Sequence, residues 1–284
     1  MESRMKELVS KSEYILRHTM SEFKKPAVMW STGKDSTTML SLIRDMFRGK
    51  VPIPVIHLDT EKKFPEIYRY RDKLAEEWDL DLIVGKNTKA LKKGMDPKRY
   101  GHFACCNALK TDALKSVLKE HKFDALIMSI RRDEHYMRSI ERHFSPRDKK
   151  FRWHIVKPKK TEETGDAPFE SLQQTELWDL YQTDFGKECS HVRVHPILHW
   201  TETDVWNYIK EKKIPVNELY LSKKGKRYRS LGCVGCTTPI KSDASSIEDV
   251  IDEIKNTKKP EREGRSQDKE KEESMRKLRS LGYM

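Results

Sequence analysis

The chain has 284 residues, 36% of them charged, and its 57 lysines and arginines against 45 aspartates and glutamates leave a formal charge of +12. That length holds one large domain or a domain with an appendage. No stretch approaches the ~20 apolar residues that span a bilayer, and Met1-Glu2-Ser3-Arg4 lacks the apolar core of a secretory signal, so the expectation is a soluble, cytoplasmic protein with no membrane partner.

Residues Leu8 to Phe23 carry apolar anchors (Leu8, Tyr14, Ile15, Leu16) at helical spacing, predicting an amphipathic lead-in helix. The apolar run Ala27–Trp30 then reads as a buried strand. It enters a small-residue turn, Ser31-Thr32-Gly33-Lys34-Asp35-Ser36, followed by a helix over Ser36–Phe47. A strand, turn and helix of this kind aims backbone N–H groups and a helix N-terminus at an anion, and Lys34 adds a full charge. A Walker A loop is excluded, because Val28 stands where that motif has its first glycine and Asp35 replaces its Ser or Thr. The turn instead resembles the pyrophosphatase loop (PP-loop), S-G-G-K-D-S, of enzymes that cut ATP between the α and β phosphates. Thr32 departs from that pattern. Ser31, Thr32, Gly33, Lys34, Asp35, Ser36 and Thr37 are thus candidate ATP ligands, with Lys34 and Asp35 candidate catalytic groups. Asp35 either caps the helix or helps hold Mg²⁺.

Further strands are expected at Val55–Leu58, Leu82–Val84 and Ala125–Met128, and helices at Phe64–Trp78 and Ala108–His121. Asp59 and Thr60 follow the second strand, placed to bind ribose, Mg²⁺ or a phosphate edge, or to cap the next helix. Arg131 and Arg132 follow the fourth, where they can pair with triphosphate oxygens and stabilise transition-state charge. Glu134, Arg138, Glu141 and Arg142 are expected on one helix face. Periodicity fades from Ser145 to Glu188, predicting a flexible insertion over about 149–190. A strand is expected at Val192–Leu198 and a helix at Thr201–Lys212, N-capped by Thr201. The tail from Lys255 to Met284 reads as a solvated helix or a segment that orders around a ligand.

The alternation predicts an α/β fold: an open, mostly parallel twisted sheet with helices on both faces, plus a C-terminal extension. The expected divisions are a helical segment (1–24), a nucleotide-binding domain (25–215) and the extension (216–284). Ligands of such sheets bind beyond the C-terminal strand ends.

Five cysteines fall as Cys105-Cys106, Cys233-x-x-Cys236 and a lone Cys189. Four thiolates can bind a [4Fe–4S] cluster or Zn²⁺; adjacent Cys105 and Cys106 project in different directions, which suits separate corners of a cubane better than one tetrahedral ion. Cys189 reads as an ordinary small residue.

The loop, together with His57-Leu58-Asp59-Thr60, Phe64-Pro65-Glu66, Arg131-Arg132-Asp133-Glu134, Arg142…Ser145-Pro146-Arg147-Asp148, His195-Pro196-Ile197-Leu198…Trp200-Thr201-Glu202-Thr203-Asp204-Val205-Trp206 and Glu261-Arg262-Glu263-Gly264-Arg265, resembles the family of phosphoadenylylsulfate (PAPS) reductases and sulfate adenylyltransferase small subunits. The resemblance implies an adenine nucleotide α-hydrolase-like fold and ATP on the loop. It implies Lys34, Arg131, Arg132, Arg262 and Arg265 on or near the nucleotide, and pyrophosphate leaving as an oxyanion attacks the α-phosphorus. The four cysteines, with Lys110, are similar to the cluster-binding set of adenylylsulfate reductases. Such reductases also carry a Glu-Cys-Gly motif near the C-terminus, whereas no cysteine follows Cys236 here.

The expectation is therefore an ATP-dependent adenylyltransferase. Cluster and positive charge together favour sulfur incorporation into nucleic acid, of the DNA phosphorothioation or tRNA thiolation type, with a cysteine desulfurase as sulfur donor. The alternative is a sulfate adenylyltransferase small subunit working with a GTPase partner. A reductase or a non-catalytic nucleotide or redox sensor ranks below both, and homo-oligomerisation is left open.

Overall fold

The computed structural model describes residues 3–135, 138, 139, 141–153, 185 and 189–266. A lead-in helix α1 (Ser3–Glu22) precedes strand β1 (Pro26–Met29), helix α2 (Lys34–Met46), β2 (Val55–Leu58), α3 (Pro65–Glu77) and β3 (Leu82–Gly85). Two helices that the sequence reading omits follow, α4 (Thr88–Lys92) and α5 (Pro97–Cys106), then a π-helical turn at Asn107–Thr111 and α6 (Asp112–His121). The turn and α6 divide what the apolar spacing presents as one helix. Beyond β4 (Ala125–Ile127) come β5 (Phe144–Asp148), β6 (Cys189–Val194), α7 (Glu202–Lys212), a short ribbon of β7 (Lys226–Arg227) with β8 (Ile240–Lys241), and α8 (Ile247–Asn256).

The main sheet has the order β3-β2-β1-β4-β6-β5. All neighbours are parallel except β5 on β6. β1 is buried at every position, as a central parallel strand covered on both faces must be. Val28, Val55, Ala125, Ile127, Val192 and Val194 face one core with α1, α2, α7 and α8; Ala27, Met29, Ile56 and Leu126 face another with α6. The chain leaves β1 toward β2 and β3 on one side, while β4 pairs on the other. The crevice between the C-terminal ends of β1 and β4 is therefore the switch point where an open α/β sheet takes its ligand.

Two local readings change. The edge strand β5 runs into the region where periodicity fades; with Phe144 to Arg147 all buried, it has no alternating pattern to reveal it. Residues 154–184, most of the expected insertion, lie outside the described residues, as does 267–284 of the tail. Glu134, Arg138, Glu141 and Arg142 do not share a helix face: Arg132–Glu134 is a single 3₁₀ turn, with Glu134 paired to Arg138 but Glu141 turned to Ser145 and Arg147. Thr201 does cap α7, its hydroxyl accepting from the Asp204 amide (3.1 Å) while the Asp204 carboxylate accepts from the Thr201 amide (2.8 Å).

The β5–β6 pair buries His143, His191 and His195. Burial pushes His143 down to about 3 and His195 down to about 4, and holds His191 well below the ordinary imidazole range. A folded-state pKa below the unfolded value means the unfolded chain takes up more protons. The stability is present above pH 6.5 and lost as pH falls through the window down to the folded values, at up to ~1.4 kcal/mol per histidine per pH unit. Urea midpoints should therefore drop between pH 7.5 and 5.5 in the wild type. A flat profile would show that these imidazoles titrate normally.

Candidate active site

The turn after β1 is built tightly. Thr32 takes a left-handed backbone (φ 65°), costly for a β-branched residue and free for the glycine that PP-loops usually place there. Ser31 and Ser36 hydroxyls meet at 3.1 Å, and the Ser31 amide donates to Ser36 Oγ at 3.2 Å. Thr37 turns inward instead, its hydroxyl donating to the Gly33 carbonyl and accepting from the Trp30 indole, so it braces the loop. Neither Thr32 nor Thr37 lines the pocket above the loop, whereas Ser31, Gly33, Lys34, Asp35 and Ser36 do. Tyr220, fully buried and reached only by tertiary folding, accepts the Lys34 amide proton at 2.9 Å.

Lys34 is 2% exposed and Arg131 0%, and both point into one ionic cluster. Asp35 accepts from Lys34 Nζ at 3.0 Å and from Arg131 Nε at 2.6 Å. Arg131 also pairs with Asp133. The other anchor is Glu261, 227 residues away from Lys34 in sequence, whose carboxylate takes Lys34 on one oxygen and Arg131 on the other. Burial disfavours the Lys34 charge, but Asp35 and Glu261 outweigh it and raise its pKa. Burial pushes the Glu261 carboxyl up to about 7 despite both cations. Two cations that sequence places on phosphate are thus held by carboxylates. Glu261 is the residue of this cluster that sequence reasoning passed over, although its neighbours Arg262 and Arg265 were singled out. Both of those line the pocket, Arg262 donating to Glu134 at 2.8 Å and Arg265 to the Leu231 carbonyl.

Other expected ligands lie elsewhere. Asp59 is locked by the Glu61 amide (2.8 Å), the Tyr68 hydroxyl (2.8 Å) and Lys86 (3.0 Å), and does not line the nucleotide pocket. Arg132 leaves the strand end in the opposite direction from Arg131, to His199 Nε2 at 3.0 Å and the Glu141 carbonyl at 3.1 Å.

Thr60 belongs to a second, smaller cavity beside the first. Cys105 and Cys106 from the end of α5, and Cys233 and Cys236 from the loop after β7, all line it. The Thr60 hydroxyl lies 3.3 Å from Cys233 Sγ. Cys233 and Lys110 line both cavities, so thiols and nucleotide pocket share a wall. Burial and the neighbouring thiols push Cys105 up to about 12. At Cys233 burial acts the same way, but Lys110, Thr60, Lys63 and Arg265 outweigh it and leave the thiol below its ordinary range. Among the described residues no three Cys, His, Asp or Glu side chains are arranged to hold a metal ion. Cys189 opens β6, donating to the His191 carbonyl at 3.4 Å, and lines neither cavity.

The profile of the phosphoadenosine phosphosulfate reductase domain matches residues 25–239, the stretch that contains the loop, both arginines and all five cysteines. The chain belongs to that family. Among curated proteins it is 36% identical to sulfate adenylyltransferase subunit 2 of Pseudomonas savastanoi pv. phaseolicola, covering 98% of this chain and 97% of that one. Among solved structures, yeast FAD synthetase in complex with FAD superposes with a TM-score of 0.55 at 15% identity, over 93% of this chain and 90% of that one. The PAPS reductase of Candida auris gives 0.51 at 17% identity, over 84% and 98%. These two likenesses establish the fold. Among the described residues no helix is long and apolar enough to cross a membrane.

Proposed function

We propose that this protein transfers AMP from ATP to an oxyanion in sulfur metabolism and releases pyrophosphate, with sulfate as the acceptor its full-length relatives support. The observation that carries the proposal is the buried pair Lys34–Arg131 at the switch point of the sheet, two cations converging on one anion position. Lys34 and Arg131 would hold the β and γ phosphates and neutralise the departing pyrophosphate. The loop orients the α-phosphorus for in-line attack, so positioning and electrostatics perform the step without a covalent intermediate. Mg²⁺ would arrive on the triphosphate, and Asp35 offers it oxygens once phosphate takes over its cations. The relatives' subunit name further supports a partner subunit.

A second acceptor, nucleic acid, is favoured by a separate observation. Between 86 and 110 the chain has a single carboxylate, Asp96, itself held by Lys62 at 3.0 Å. Lys89, Lys92, Lys93, Lys98 and Arg99 are exposed on that stretch beside exposed Tyr100; α4 and its cap carry the first three, and α5, which ends in Cys105 and Cys106, carries Lys98, Arg99 and Tyr100. A basic, aromatic surface suits a phosphate backbone with an unstacked base. In this reading the four thiols, which line one cavity and match an iron–sulfur group in donor chemistry though not in their present arrangement, would hold a [4Fe–4S] cluster, supplying a thiolate-ligated, redox-active centre beside the nucleotide pocket. A cysteine desulfurase would then be the sulfur source.

The test is anaerobic purification with iron and zinc analysis, then pyrophosphate release from ATP with sulfate, tRNA or DNA added. Sulfate alone should stimulate release if sulfate is the acceptor. Stimulation by nucleic acid only, from an iron-containing brown protein that Cys233→Ser bleaches, would transfer the assignment to the second reading. Absence of release with every acceptor would remove the adenylyltransferase proposal.

A further inference from the structure

Glu261 sits between two cavities. On one side it lines the nucleotide pocket and grips Lys34 and Arg131. On the other it lines a cavity of about 540 Å³ whose wall also includes Arg229, Lys241 and Lys259, together with Glu263 and with Glu253, which is paired to Arg227. The backbone around Glu261 is pinned at both ends. Arg229 holds the Lys259 carbonyl at 2.7 Å while paired to Glu202. Downstream, the Gly264 carbonyl accepts from the Thr238 amide (2.9 Å) and hydroxyl (3.1 Å), and the Ser266 amide donates to the Cys236 carbonyl (3.1 Å). The packing there is close enough that a Cβ on Gly264 would stand 2.6 Å from the Thr238 carbonyl oxygen. The segment stays put while the side chain has an open cavity behind it.

We propose that Glu261 is an exchange carboxylate. In the free enzyme it occupies the anion position of Lys34 and Arg131, and incoming phosphate displaces it into the rear cavity toward Lys241 and Lys259. Its return competes with pyrophosphate for the same two cations and drives product release. The inference rests on the assignment of those cations to phosphate. It is an ion exchange, one carboxylate for one phosphate group, with no bond made or broken. Asp35 cannot play this part, because it is covalently next to Lys34 and remains beside both cations whatever binds. Glu261 comes from the far end of the chain and is the anion that burial penalises most visibly, its carboxyl pushed up to about 7.

Titration of pyrophosphate into the intact protein, followed by calorimetry, tests the exchange. Glu261→Gln keeps the shape and removes the competing charge, so pyrophosphate should bind at least tenfold tighter. In turnover, KM for ATP should fall along with kcat, as release slows. Equal or weaker binding of pyrophosphate would overturn the proposal and make Glu261 a supporting ligand of phosphate or its Mg²⁺. Because Glu261→Gln also disturbs a buried ion cluster, the double variant Lys241→Glu/Lys259→Glu supplies an independent arm at two exposed positions. It removes the attraction at the rear, so pyrophosphate should bind several-fold more weakly; an unchanged affinity counts against the swing. Lys34→Ala separates the two levels. If it leaves pyrophosphate affinity intact, the phosphate assignment itself fails; if it abolishes binding while Glu261→Gln tightens nothing, only the exchange fails.

Discussion

Lys34→Ala should reduce pyrophosphate release from ATP by at least 10²–10³-fold, the range typical of losing one charge stabiliser aimed at a developing anion. The ammonium is 2% exposed, so water cannot stand in for it. Its position is set on three sides: the Tyr220 hydroxyl takes its amide, while Asp35 and Glu261 take its Nζ. A rate change carried by kcat, with little change in KM, would mark an interaction made mainly in the transition state. Lys34→Arg should rescue little, since a guanidinium fork does not fit a position shaped around one nitrogen between two carboxylates. Turnover of Lys34→Ala within tenfold of wild type, measured by coupled pyrophosphate detection, would remove the loop from catalysis.

The loop was legible because its chemistry is local. A strand, a small-residue turn, a lysine and a helix occupy adjacent positions, and the four parallel strands β1 to β4 announce themselves as short apolar runs separated by helical stretches. What sequence hid was tertiary. Asp59 looks like a ligand at a strand end, yet Tyr68 and Lys86 claim its oxygens. Arg131 and Arg132 are equivalent on paper, but Arg131 is still extended while Arg132 opens a 3₁₀ turn, and one goes to Asp35 and Glu261 and the other to His199. Glu261 carries no signal of its own. In the run Glu261-Arg262-Glu263-Gly264-Arg265 it reads as one charge in a mixed surface segment, and only folding shows it buried against Lys34 and Arg131. The four cysteines fall between these cases: their spacing suggested one shared site, and the α5 end and the β7–β8 loop bring all four to one cavity.

Arg131→Ala should cost about 3–5 kcal/mol of stability, the penalty for breaking a buried ionic cluster by removing one partner. The cluster sets two cations, Lys34 and Arg131, among three carboxylates, Asp35, Asp133 and Glu261. Without Arg131, Lys34 alone faces them, and Glu261 is the anion least well held. Its carboxyl is already pushed up to about 7 by burial in the wild type, and removing a cation raises it further. A carboxyl whose folded-state pKa lies above its unfolded value contributes stability that is complete below the unfolded pKa, near 4.5, and lost as pH rises through the folded one. The Arg131→Ala deficit should therefore be largest near pH 8 and shrink toward pH 6. Adding Glu261→Gln should recover part of it at pH 8, because the uncompensated charge is gone. The four proteins of this cycle, unfolded in urea at both pH values, should show a coupling energy of about 1–3 kcal/mol at pH 8. Additive effects at both pH values would mean that Arg131 and Glu261 do not share the anion position on which the proposed phosphate binding and exchange both rest.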